Sequence, residues 1–133
     1  MPSALTTLSH EECVRLLACT SIGRVAFTSQ ALPAVVPVNY RLSGSSIIFR
    51  TEPGGMLARG CDGTVVAFEI DSHSDDGRSG WSVLAVGLAE LLSGSSALRA
   101  VETGLVTAAG DGRDQFVAIR IGTLTGRAIE PLD

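Results

Sequence analysis

Residues 34–51 read Ala34-Val-Val-Pro-Val-Asn-Tyr-Arg-Leu-Ser-Gly-Ser-Ser-Ile-Ile-Phe-Arg-Thr51, and they have the pattern of two strands joined by a short turn. The two halves, 34–41 and 46–51, are rich in β-branched and aromatic residues, which favour strands. The short polar segment between them contains a glycine and predicts a hairpin turn. Pro37 has no amide hydrogen, so it should lie at an edge, at a bulge, or where the backbone faces something other than a strand.

The rest of the chain continues this pattern of strands with a few short helices. Strands are predicted at 24–29, 64–71 and 80–92, with a closing strand at 116–121 and 124–129, and helices at 10–19, 56–61 and 95–106. The order is therefore α-β-β-β-α-β-β-α-β. A parallel doubly wound sheet would need a helix after nearly every strand, and closure into a barrel removes unpaired edges. We predict a mainly β (α+β) fold, a six-stranded antiparallel barrel with short flanking helices, as a single domain over residues 1–133.

Two local signals refine this prediction. Ser9 and Glu12 have the spacing of a capping box, in which each side chain satisfies a backbone amide at the start of the first helix. Gly87 interrupts the long strand 80–92, where a glycine commonly marks a bend or a bulge. A strand of this length with a bend is able to pass from one side of a small barrel to the other.

The composition fits one compact domain and excludes several classes of function. The chain has 133 residues, of which 45% are hydrophobic and 18% charged, with a formal net charge of −4. Ten arginines, no lysine and fourteen acidic residues give no basic excess, so a nucleic-acid partner is not expected. No apolar run is long enough for a membrane span, and the first residues lack the regions of a secretory signal. We expect a cytoplasmic protein that does not bind membranes.

The cysteines and the low charged fraction bear on redox state and assembly. Cys13, Cys19 and Cys61 are odd in number and form no C-x-x-C pair, so neither a disulfide framework nor a zinc site is indicated. We expect all three to be small buried residues. A charged fraction below the usual quarter leaves apolar surface to cover, and this favours a homo-oligomer.

Few residues offer catalytic chemistry of their own. His10 and His73 are the only histidines, both in segments expected at the surface, and no motif of a hydrolase or a phosphate-binding loop is present. The loop around His73 carries several aspartates but lacks the glycine and glutamate positions of a calcium loop. No catalytic residue and no metal site is therefore predicted.

Three other groups of residues could bind a phosphorylated aromatic ligand. Arg50 and Thr51 end a strand just before a Gly-rich turn, which brings a guanidinium, a hydroxyl and backbone amides together; an ordinary strand-turn-helix joint is the alternative. The amide of Asn39 could pair with a heterocycle, or could satisfy the local backbone. Trp81 and Ser82 could pack beside a ring or at a subunit contact, or Trp81 could belong to the core.

Five segments together resemble the pyridoxamine 5′-phosphate oxidase-like family, and are most similar to its short branch related to nitroimidazole-resistance proteins. They are Gly23-Arg-Val-Ala-Phe27, Pro33-Ala-Val-Val-Pro-Val-Asn-Tyr40, Ile47-Ile-Phe-Arg-Thr51, Val66-Ala-Phe-Glu-Ile-Asp71 and Gly80-Trp-Ser-Val-Leu-Ala-Val-Gly87. The resemblance covers nearly the whole chain from Leu8 to about Glu130. It implies a split β-barrel homodimer that binds flavin mononucleotide (FMN) in two clefts at the dimer interface.

The resemblance also assigns roles to ten residues. Pro37, Val38, Asn39 and Tyr40 would lie along the isoalloxazine, Arg50 and Thr51 would face the ribityl phosphate, Met56 and Leu57 would lie beside the phosphate, and Trp81 and Ser82 would complete the cleft. The chain departs from the family pattern at Met56, where a lysine or arginine is usual. Loss of a charge-assisted contact of about 1.5–3 kcal/mol would weaken flavin binding, unless Arg59 reaches back to replace it.

These features predict an FMN-dependent oxidoreductase that transfers a hydride to or from a small molecule. A bound flavin carries the redox chemistry, which is consistent with the lack of catalytic histidines. One alternative is a non-catalytic module on the same fold that holds flavin, haem or another planar cofactor as a carrier or sensor. Another is a deazaflavin-dependent reductase, whose polyanionic cofactor would call for a more basic groove. The substrate and the electron donor are not indicated.

Overall fold

The structure is a computed structural model and describes residues 3–102, 104 and 115–131. The strands are β1 Ser3–Thr7, β2 Ile22–Ser29, β3 Leu32–Ser43, β4 Ser46–Thr51, β5 Thr64–His73, β6 Gly80–Leu91 and β7 Gln115–Pro131. The helices are α1 His10–Cys19, α2 Met56–Cys61 and α3 Ser95–Glu102. None of the helices in these ranges has the length and apolar character that a membrane crossing requires.

All seven strands belong to one antiparallel sheet that closes on itself. The order is β1-β7-β4-β3-β2-β5-β6, and a further pairing of β6 with β7 closes the six strands β2–β7 into a ring. This confirms the predicted antiparallel barrel with short flanking helices. One strand, β1 at the start of the chain, was not predicted. It pairs with the last part of β7, from Ser3 opposite Pro131 to Thr7 opposite Arg127. The predicted closing strand is one continuous 17-residue strand.

Gly87 marks the bulge that was predicted for the long strand. The register between β6 and β7 shifts between Val86 and Gly87, so that Val86 lies opposite Thr123 and Gly87 opposite Ile121. A Cβ at position 87 would overlap the carbonyl oxygen of Arg120. Glycine is therefore required for the two backbones to approach closely where the sheet bends.

The core lies inside the ring and is built from alternate residues of the strands. Its fully buried members include Val25 on β2, Phe49 on β4, Phe68 on β5 and Ile119 on β7. A second, smaller cluster of Ile48, Ala100 and Phe116 packs between the sheet and α3. The third helix was predicted over residues 95–106. In the structure α3 spans Ser95–Glu102, and residues 105 and 106 lie outside the described part.

Helix α1 forms over His10–Cys19, as its sequence signals predicted, and it packs against β3, β6 and β7. Both hydrogen bonds of the capping box are present between Ser9 and Glu12. Cys13 and Leu17 are buried on the face toward the barrel. Of the three cysteines that were expected to be buried, Cys13 and Cys61 are, but Cys19 at the end of α1 is exposed. The expectation for Cys19 was wrong because a position at a helix terminus need not face the core.

Candidate functional site

A cleft of about 570 Å³ opens beside β3, β4 and α2. It contains six of the ten predicted site residues, namely Pro37, Val38, Asn39, Arg50, Thr51 and Leu57. The other described residues that line it are Ser21, Val36, Arg41 and Gly104. We call it the arginine cleft, after Arg41 and Arg50.

One wall of the arginine cleft is a stretch of β3 that pairs with β2 on one side and has no described strand partner on the other. β3 pairs with β2 from Leu32 to Asn39, whereas its described pairing with β4 begins only at Tyr40. The Tyr40 amide donates to the carbonyl of Ser21 at 3.0 Å, and successive amides of a strand point to opposite sides. The backbone groups of Pro37 and Asn39 therefore point away from β2. Pro37 thus occupies an edge position, as predicted, where its missing amide hydrogen interrupts no pairing with β2.

The charged side chains among the described lining residues are both cations. Arg50 on β4 was predicted to lie here, and Arg41 on β3 was not. Arg41 follows Asn39 by two residues, which puts both on the same face of the strand. One Nη of Arg41 donates to the carbonyl oxygen of Tyr40 at 2.9 Å. No carboxylate is among the described lining residues, so the cleft is suited to an anion.

Tyr40 was placed along the isoalloxazine by the resemblance, but its side chain lies in the core. It is 0% exposed and packs edge-on against Phe68, with ring centroids 4.8 Å apart. Its hydroxyl donates to the carbonyl oxygen of Leu17 at 2.7 Å, and burial raises the pKa of Tyr40 to about 12. Adjacent residues of a strand point to opposite faces, and here Tyr40 turns its side chain to the core while Asn39 is exposed.

The short helix α2 presents its second residue to the arginine cleft. Leu57 is buried and lines the cleft. Met56 is 45% exposed and is not among the lining residues, and Arg59, which was considered as a replacement cation, is exposed and is not among them either. From α2, the cleft therefore receives an apolar side chain and no cation.

Trp81 and Ser82 line a different cleft, of about 270 Å³. This second cleft lies at the ends of β5, β6 and β7, and its other described lining residues include Asp71, His73 and Arg127. Asn39 on β3 and Ser82 on β6 are separated by three strand spacings, or roughly 14 Å. Trp81 is also half-buried against the core. Within one chain, the ten predicted residues therefore do not form one site.

An ion-pair cluster lies between the two clefts. Arg24 is opposite Pro37 in the sheet, and its guanidinium contacts the carboxylates of Glu69 at 3.0 Å and Asp71 at 2.8 Å. Partial burial and the neighbouring carboxyl of Asp71 raise the pKa of Glu69, and Arg24 opposes this shift. Because Arg24 is half exposed, the cluster contributes little to stability.

The composition of the arginine cleft defines what it could hold. Two guanidiniums, the Thr51 hydroxyl and the Asn39 amide fit the phosphate and ring edge of a phosphorylated heterocycle, while the aliphatic side chains provide an apolar wall. None of the described lining residues is a histidine, cysteine, tyrosine or methionine that could serve as an axial ligand of haem iron. Across the described residues, no cluster of three or more potential metal ligands is present. The residues present fit a flavin better than a haem.

Comparison with known proteins supports this interpretation of the fold. A family model described as pyridoxamine 5′-phosphate oxidase matches residues 9–128. An uncharacterized protein of Mycobacterium tuberculosis is 41% identical over 91 residues, which cover 65% of this chain and 60% of that protein. This chain therefore matches less than two thirds of the length of that relative.

Two solved structures illustrate the similarity of the fold. The FAD binding protein from Mycobacterium smegmatis superposes with a TM-score of 0.80 and 27% identity, covering 96% of this chain and all of that one. A protein from Bacteroides thetaiotaomicron, described as a candidate 5-nitroimidazole antibiotic resistance protein, superposes with a TM-score of 0.77, covering 97% of this chain and 90% of that one. The sequence identity between that protein and this chain is only 14%, so this similarity is evidence for the fold alone.

Proposed function

The chain belongs to the pyridoxamine 5′-phosphate oxidase family, and from this premise we propose that it binds a flavin in the arginine cleft and acts as an oxidoreductase. The observation that carries the proposal is the cleft itself, whose charged residues in the described lining are both arginines. The proposed reaction is transfer of a hydride to or from a small molecule. The similarity to an FAD binding protein at 27% identity supports a flavin as the cofactor.

The residues of the cleft have separate roles in this proposal. Arg50 and Thr51 bind the phosphate, because a guanidinium and a hydroxyl together give charge-assisted and neutral hydrogen bonds. The Asn39 amide, which can both donate and accept, orients the polar edge of the ring. Leu57 contributes an apolar side chain on the side of α2. A bound flavin supplies the two-electron redox chemistry, so the chain needs to position it and to tune its surroundings.

The proposed site is completed by a second copy of the chain. Nine large hydrophobic side chains of the described residues are exposed, and six of them lie on the side of the sheet opposite the core, which we call the outer face: Leu5, Ile22, Val35, Val65, Leu84 and Ile129. Exposed apolar side chains of this size favour a protein partner. Trp81 and Ser82 lie roughly 14 Å from Asn39 within one chain, so a twofold pairing is what would bring them to the arginine cleft of the other copy.

A non-catalytic flavin carrier is the second candidate function. It is favoured by the absence, among the described lining residues, of any side chain that titrates near neutral pH. A deazaflavin could replace the flavin in either case, since the two arginines would also suit its anionic tail.

The absorption spectrum of the purified protein tests the proposal. We expect a flavin spectrum, or its appearance when FMN or FAD is added to a colourless preparation, and the same titration with deazaflavin ranks the cofactors. Anaerobic mixing of the loaded protein with reduced nicotinamide, and then with nitro or quinone acceptors, tests catalysis against free flavin as the control. Turnover above the control supports the oxidoreductase, and stoichiometric binding without turnover selects the carrier. A protein that binds none of these cofactors would contradict both.

A further inference from the structure

We propose that Arg41 is the second cation, beside Arg50, of the anion site in the arginine cleft. This inference rests on the proposed function, since it concerns the phosphate of the same flavin. The role of Arg41 is to bind the anionic part of the cofactor together with Arg50. The ligand class is a flavin that carries at least one phosphate.

The placement of Arg41 follows from the register of the hairpin. Arg41 on β3 lies opposite Ile48 on β4, and Arg50 lies two residues beyond Ile48. The two arginines are therefore diagonal neighbours on one face, with α-carbons about 7–8 Å apart. Guanidinium side chains at this separation can reach the same phosphate or two adjacent ones. Both residues line the same cleft.

The surroundings of Arg41 favour anion binding over a purely structural role. Among the described residues, Arg41 donates one hydrogen bond, to the backbone carbonyl of Tyr40 at 2.9 Å, and a guanidinium has five donors. Arg41 is exposed, so no buried partner fixes its charge in the fold. Attachment to the adjacent carbonyl holds the side chain near β3 and leaves further N–H groups available to a ligand.

The residues of α2 do not satisfy the same conditions. Met56 has no charge and is not among the lining residues, and Arg59 is exposed on the last turn of α2, also outside the lining. α2 contributes Leu57 to the lining instead. The anionic end of the cofactor should therefore lie over the β3–β4 hairpin and not over α2.

The test compares two matched charge removals against cofactors that differ in phosphate. Equilibrium dissociation constants for riboflavin, FMN and FAD are measured for the unaltered protein, Arg41→Gln, Arg41→Lys and Arg59→Gln. We expect Arg41→Gln to weaken FMN and FAD about 10- to 100-fold and to leave riboflavin within about twofold. Arg41→Lys should recover part of the loss, and Arg59→Gln should change all three by less than about twofold. A larger effect on FAD than on FMN indicates that Arg41 contacts the second phosphate.

The outcomes separate this inference from the proposed function. If the unaltered protein binds FMN and Arg41→Gln binds it equally well, or if Arg41→Gln weakens riboflavin as much as FMN, the role of Arg41 is refuted while the flavin site stands. Equal losses in Arg41→Gln and Arg59→Gln would show a general effect of net charge and also refute it. A protein that binds neither FMN nor FAD would refute both proposals. Thermal melting of each variant confirms that it is folded.

Discussion

At the scale of single residues, Tyr40 connects the barrel to α1 through one buried hydrogen bond. Its hydroxyl donates to Leu17, and burial raises its pKa from 10.0 to about 12. The neutral side chain therefore favours the folded state fully below pH 10, and this contribution is lost as the pH rises from 10 to about 12. We expect Tyr40→Phe to lower the free energy of unfolding by about 1–2 kcal/mol at neutral pH.

The measurement for Tyr40 is unusually clean because it is the only tyrosine in the chain. The ultraviolet absorbance of tyrosinate therefore reports on this residue alone during an alkaline titration. Ionisation of the folded protein at a pH near 10 would show that the hydroxyl is solvated and contradict the structure. Denaturant unfolding of Tyr40→Phe at pH 7 and above pH 10 gives the loss of stability and its pH dependence.

The sequence predicted Asn39, Tyr40, Arg50 and Thr51 as cofactor-binding residues; the structure places Asn39, Arg50 and Thr51 at one cleft together with Arg41, which was not predicted, and places Tyr40 in the core. Both differences, at Tyr40 and at Arg41, follow from the alternation of side chains along β3. Asn39 and Arg41 share a face, and Tyr40 lies on the other, so a strict reading of the strand would have exchanged Tyr40 for Arg41. Met56 and Leu57 were both predicted at the site, but only Leu57 lines the cleft. The residue of a short helix that faces a cleft is determined by how the helix packs against the sheet, and sequence spacing does not define this packing.

At the scale of elements, the bulge between β6 and β7 depends on Gly87. An added Cβ would overlap the Arg120 carbonyl oxygen and lie 2.8 Å from the carbonyl carbon, and both atoms are backbone. Because β7 also pairs with β4 at this level, it cannot move away easily. We expect Gly87→Ala to lower the free energy of unfolding by at least about 3 kcal/mol, measured by denaturant unfolding.

Gly44→Ala provides the control for that prediction. An added Cβ there meets nothing within 4 Å, although the residue has a φ of +58°. The expected loss is only the strain of the left-handed conformation, about 1 kcal/mol. Equal losses at the two positions would show that steric overlap at the bulge is unimportant.

The strand β1 shows where local sequence signals end. It is five residues long, and its partner on β7 is more than a hundred positions away, as in the bond from the Thr6 hydroxyl to the carbonyl of Ala128. Its residues, Ser-Ala-Leu-Thr-Thr, do not show the alternation of apolar and polar side chains that is typical of a strand with one buried face. The hairpin of β3 and β4 was predictable because its turn and its alternation are local. Pairing that is fixed by a distant strand is not visible in a short window.

At the scale of the whole molecule, the outer face should hold two copies together. Val65 is 68% exposed on this face, and Val14 is 36% exposed on α1 outside it. We expect the protein to be a dimer, Val65→Glu to dissociate it, and Val14→Glu to leave it intact, because a charge at an apolar interface is desolvated without a partner. Light scattering coupled to size-exclusion chromatography gives the masses. A monomeric unaltered protein, or dissociation by Val14→Glu alone, would contradict this arrangement.

The most direct test of a phosphorylated flavin in the arginine cleft is a pair of equilibrium titrations, with FMN and with riboflavin, on the unaltered protein and on Arg50→Gln. We expect FMN to bind more tightly than riboflavin, and Arg50→Gln to weaken FMN binding about 10- to 100-fold while riboflavin binding changes by less than about twofold. Equal affinities for the two flavins that Arg50→Gln does not change, or no binding at all, would contradict it.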